Sequence, residues 1–90
     1  MSSGVNQETR NRIRLSVAAY AYEVDNNSVM TDGEFDELAK QINPNVDTGH
    51  ANLDKFFKKN FKPDTGMWIH QHPDLHGIKH IYEKYYKNGS

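Results

Sequence analysis

The stretch from Tyr20 to Leu38 constrains this chain most, because it writes the join between two helices directly into the sequence. Upstream, Ile13, Val17, Tyr20 and Val24 recur at helical spacing, and Leu15, Ala18, Ala19 and Tyr22 widen the apolar stripe. A surface that broad predicts contact with more than one neighbour. The run Asp25-Asn26-Asn27-Ser28 then stops the helix, since these side chains compete for backbone hydrogen bonds and tolerate turn conformations. Thr31-Asp32-Gly33-Glu34 has the spacing of a capping box, in which Thr31 accepts from the Glu34 N–H and the Glu34 carboxylate reaches back. Acids at 32, 34 and 36 suit the positive end of the helix dipole. Met30 stands where it would staple onto Phe35 or Leu38. Phe35, Leu38, Ala39 and Ile42 keep the helical pattern until Asn43-Pro44-Asn45 ends it.

The rest of the chain repeats this grammar. Asn6 is placed to cap the first helix, with residues 1–5 expected to be disordered. Asp47 or Thr48 would open a third helix, with Leu53, Phe56, Phe57 and Phe61 on its apolar side. Lys62-Pro63 and Asp64-Thr65-Gly66 break it. Met67-Trp68-Ile69 reads either as a brief extended piece or as one helical turn over the core. Pro73 suits the first position of a fourth helix, whose stripe is Leu75, Ile78, Tyr82 and Tyr85. The expectation is an all-α fold, a compact bundle of about four helices near 7–25, 31–43, 49–61 and 73–87, in one domain over 6–90. Ninety residues lie near the lower limit for an unstapled core, and ten aromatics supply large buried area per residue.

Composition removes several function classes. The absence of cysteine excludes disulfides and thiolate metal sites. No apolar run approaches the roughly 18 residues of a membrane span, and no signal-peptide core opens the chain, so a cytoplasmic protein is expected. The net charge of −1 conceals polarity: residues 23–47 hold seven acids and one base, whereas the remainder holds ten bases and five acids. Such a surface favours oriented encounters with charged partners. No Gly-x-Ser-x-Gly or phosphate-cradling glycine loop is present, and Ser16 falls inside a helix. Asp32 and Asp36 share a helix flank that offers no enclosed pocket for acid–base work, so a non-enzyme is expected.

The hairpin carries a more specific signal. Tyr22, Thr31, Asp32, Glu34, Asp36 and Leu38 fall on a pattern of aromatic residues and acids, a short turn, then Ser/Thr-Asp-x-Glu-Tyr-Asp-x-Leu. Over residues 17–39 this resembles the N-terminal helical module of NAD-dependent DNA ligases, which grips the nicotinamide mononucleotide (NMN) half of NAD. The resemblance implies ligand contacts at Tyr22, Asp32, Phe35 and Asp36. An aromatic face would stack on the nicotinamide ring, and carboxylates would accept from ribose hydroxyls and the amide. Phe35 replaces a tyrosine and loses its hydroxyl; Glu23 stands where the family often has His or Tyr. No Lys-x-Asp-Gly adenylation motif follows, so ligation itself is not implied.

Other residues suggest other roles. The first expectation is a small interaction module, of the phage-type accessory kind, binding a protein partner through Glu23, Asp32, Asp36 and Glu37, with Trp68 as an aromatic anchor. NMN or NAD binding is the alternative; otherwise no cofactor is expected. Arg10, Arg14, Lys55, Lys58, Lys59 and Lys62 would carry non-specific nucleic-acid binding, with Arg12 joining their rim, although a pI near 6.5 is far from a basic footprint. His72, His76 and His80 are spaced i, i+4, i+8, a weak metal pattern with no cysteine to complete it. Boundary histidines, or a proton-sensitive surface, are the simpler expectation.

Overall fold

Helix α1, Ser3–Val24, is the axis of the molecule in the computed structural model, which describes residues 3–87. At 1.5 Å per residue its 22 residues run for about 33 Å, close to the 37 Å long dimension of the protein. Around it lie α2 (Asp32–Gln41), α3 (Ala51–Lys59), a 3₁₀ turn (Met67–Gln71) and α4 (Leu75–Ile81), which continues as a π-helical segment, Tyr82–Lys87. The described residues form an all-α bundle of four helices. None of the helices is long and apolar enough to cross a membrane.

The inward surface of α1 differs from the expected stripe. Leu15 to Ala21 are all buried, two turns enclosed on every side, while Ile13, Tyr22 and Val24 remain exposed. The small side chains explain this: Ser16, Ala18, Ala19 and Ala21 let neighbours approach α1 from several directions at once. Gly66 is one such case, since a Cβ there would lie 3.4 Å from the Ala19 Cβ. The expected contact with several neighbours is present, as α1 packs on α2, the 3₁₀ turn, α4 and the π segment.

Helix α2 forms as its local signals direct. Thr31 is the N-cap; the Glu34 N–H donates to Thr31 Oγ1 at 3.1 Å and the Thr31 N–H donates to Glu34 Oε1 at 2.9 Å. Leu38, Ala39 and Ile42 are buried, with Met30 and Phe35 packed beside them. Before it, α1 ends where Asn26 takes a left-handed φ of 49° and the Asn27 N–H folds back onto the Ala21 carbonyl. Tyr82 locks that corner, donating to Asp25 Oδ2 at 2.6 Å and accepting from Asn27 Nδ2 at 2.9 Å.

Elsewhere the elements shift. Residues 3–5 already belong to α1, so Asn6 is not its cap, and Met1 and Ser2 lie outside the described residues. Polar side chains there bond along the helix instead, Thr9 to the Val5 carbonyl and Gln7 to Asn11. Helix α3 starts at Ala51, because Thr48 is taken by Asp54 and Asp47 caps only the Gly49 N–H. Helix α4 starts two residues after Pro73, since the Asp74 N–H is drawn to His72 Nδ1. Met67–Gln71 takes the helical-turn alternative.

Burial of His72 sets a pH dependence. His72 is buried against the rings of Phe56 and Phe57. Burial pushes its imidazole below the ordinary value of 6.5, against the opposing pull of Asp74. The fold therefore holds His72 neutral, with Nδ1 accepting. Stability from this group is complete above about pH 6.5 and declines as pH falls below it, because the unfolded chain takes the proton more readily. Urea midpoints should drop between pH 6.5 and 5, and His72→Phe should flatten that slope; an unchanged slope would remove His72 as the cause.

Candidate functional site

The last turns of α1, the first turns of α2 and the Asp64–Gly66 loop enclose a groove of about 380 Å³. That is within the roughly 300–1,000 Å³ of small-ligand clefts. Its apolar lining is Ala18, Ala19, Val29, Met30 and the Phe35 ring. Tyr22 stands at the mouth, 61% exposed. Glu23, Asp32, Asp36 and Asp64 supply carboxylates, and no lining residue among those described is basic. The sequence-level view that the Asp32 and Asp36 flank faces no pocket is thus corrected: the loop returning at Gly66 makes the opposite wall.

Local chemistry fixes each position. Asp32 and Asp36 are one turn apart on α2, so the capping box that starts the helix also aims them. Glu34, between them, is occupied: backbone and side-chain hydrogen bonds from Thr31 hold its carboxyl below the usual range, helped by the charge of Arg14. Tyr22 lies one turn beyond Ala18 on α1. Helical side chains lean toward the N-terminus, which carries the Tyr22 ring over the Ala18 floor. Glu23 is held from behind by His70, with Nε2 and Oε1 at 3.4 Å.

The structure brings together Tyr22, Asp32, Phe35 and Asp36, and adds Asp64, Thr65 and Ser28, which nothing in the motif spacing announces. It separates other expected groups. Trp68 is corrected as a partner anchor: it is only 4% exposed, inside a cluster with Phe56, Phe57 and Phe61. Glu37 is exposed beside Lys40 and does not line the groove.

The basic residues divide similarly. Arg10 and Arg14 border a second, shallower depression with Thr9, Ile13, Thr48 and His50, whereas Lys55, Lys58, Lys59 and Lys62 lie exposed elsewhere. Arg12 does not join that rim. It is 4% exposed and bonds to Glu8 and Asp54 at 2.7 Å each. His72 precedes α4, so only His76 and His80 share that helix. Among the described residues no three His, Asp or Glu side chains are grouped to hold one metal ion.

Comparison with protein-family models, with curated proteins and with solved structures finds no match for this chain. The groove and its residue types therefore carry the functional argument.

Proposed function

We propose that this chain is a small non-enzymatic binding module that takes the nicotinamide end of NMN or NAD in the α1–α2 groove. The observation behind this reading is that one cleft gathers Tyr22, Asp32, Phe35 and Asp36 from two helices. These are the side chains that the ligase-like hairpin pattern assigns to ligand. The nicotinamide ring of NMN and NAD is a cationic pyridinium. Tyr22 and Phe35 offer ring faces to it, and the surrounding carboxylates complement its charge. Asp32 and Asp36 accept from ribose hydroxyls or from the amide. The groove contains no lysine, so it offers no nucleophile for adenylyl transfer.

Titration of NMN into labelled protein tests this. Amide shifts should concentrate at Tyr22, residues 31–36 and the 64–66 loop, and Asp36→Ala should abolish them. No perturbation at millimolar NMN or NAD would end the proposal. A second reading draws on the exposure of Tyr22, Asp32, Asp36 and Glu37, which together present an acidic surface to a basic segment of a partner protein. In that case Asp32→Lys/Asp36→Lys should lose proteins that the parent chain recovers in a pull-down.

A further inference from the structure

The carboxylates that suit a pyridinium ring create a difficulty for the other end of NMN. Glu23, Asp32, Asp36 and Asp64 would repel a phosphate placed among them, and no lining residue is basic. The phosphate must leave the groove on a side where the charge changes sign.

Helix α1 supplies one such side. Ala18 and Tyr22 lie along an i, i+4 row of that helix, and the next positions toward the N-terminus are Arg14 and Arg10. One turn, about 6 Å of rise, separates the groove floor at Ala18 from Arg14. Arg10 and Arg14 both border the second depression, so the acidic cleft gives way to a basic one along a single ridge. Glu34, at the start of α2 beside the groove, feels the Arg14 charge, so the guanidinium lies within Coulombic reach of that end of α2. Arg14 is exposed, and among the described residues it has no hydrogen-bond or ion-pair partner.

The geometry points to Arg14 as the residue that anchors the phosphate of a bound mononucleotide, with the pyridinium ring in the acidic groove. The site then selects a zwitterionic ligand, cationic at one end and anionic at the other. Arg14 is a specificity-determining residue: it distinguishes the nucleotide from its nucleoside. The inference rests on the nicotinamide-nucleotide reading of the groove.

Calorimetric titration of NMN and nicotinamide riboside separates the two ideas. The parent protein should bind NMN about tenfold more tightly than the riboside, the worth of one charge-assisted contact. Arg14→Gln should bring NMN down to the riboside's affinity and leave the riboside unchanged. Added salt should weaken both ligands, because both bring the pyridinium charge into the acidic groove, and Arg14→Gln should remove the part of the NMN dependence that exceeds the riboside's. A circular-dichroism melt matching that of the parent confirms that the exposed substitution leaves the fold intact. Equal affinity for the two ligands, or a preference for NMN that survives Arg14→Gln, overturns the role of Arg14 while the groove reading stands. Failure of both ligands to bind overturns both.

Discussion

Arg12→Ala should cost about 3–5 kcal/mol, the range for stranding one member of a buried ion pair. A domain of this size has about 5–13 kcal/mol of stability, so much of the chain would be unfolded or near its threshold. The reason is the number of groups that depend on one side chain. The Arg12 guanidinium makes four hydrogen bonds, to Glu8, to Asp54 and to the carbonyls of Asn43 and Val46. Glu8, only 5% exposed, also accepts from the Asn43 N–H. Loss of Arg12 would leave the buried Glu8 carboxylate without its counter-charge and the Val46 carbonyl without this donor, with only the Asn43 N–H to Glu8 bond and apolar packing still joining that end of α2 to α1.

Arg12→Lys should still lose roughly 2 kcal/mol, because a point ammonium cannot reproduce donors spread over a planar fork. Asp54 gives an independent readout. Burial pushes its carboxyl up, but bonds from Thr48 and Arg12 outweigh this and hold it at about 2 rather than 3.8. Its contribution is therefore complete above about pH 4 and lost as pH falls toward 2; after allowance for solvent screening it is worth about 1 kcal/mol. Acid titration of stability should show part of that loss vanish in Arg12→Lys. Urea melts showing less than 1 kcal/mol of destabilisation for Arg12→Ala would mean the network is not formed in solution.

Local signals and tertiary signals divide what the sequence disclosed. Helix α2 was legible because its cap at Thr31, its stripe through Ile42 and its stop at Pro44 all act within a few residues. The inward side of α1 was not, because periodicity favours large apolar residues, whereas this helix is enclosed where it is small. Arg12 reads as part of a solvated basic rim; in the fold it pairs with Glu8 one turn before it, and Asp54 completes the pair from 42 residues away, where no local rule connects the positions. Tyr82 was assigned to a helical stripe; its hydroxyl's hold on Asp25 depends on where α1 ends. The groove was half legible for the same reason. Tyr22, Asp32, Phe35 and Asp36 announce themselves through hairpin spacing, while the wall at 64–66 exists only because Gly66 lies against Ala19.

Phe57→Ala should be comparably severe, about 3–5 kcal/mol, the usual cost of emptying a buried phenyl site. Phe57 is 1% exposed, and its ring lies 5.3 Å from Phe56, 5.5 Å from Phe61 and 5.6 Å from Trp68. The Arg12 guanidinium also sits over it at 5.0 Å, so this ring couples the aromatic cluster to the ion-pair network. Two consequences follow from that coupling. Phe57→Leu, which keeps most of the volume but loses the ring face, should cost only about 1–2 kcal/mol. The pair Arg12→Lys and Phe57→Leu should then depart from additivity by about 0.5–1 kcal/mol, because each change removes the same contact. The chain's one tryptophan, Trp68, reports all of these variants by its emission, since it is buried in the same cluster. Additive losses would show that the guanidinium and the ring do not interact, and that Arg12 reaches α3 through Asp54 and not through the Phe57 ring.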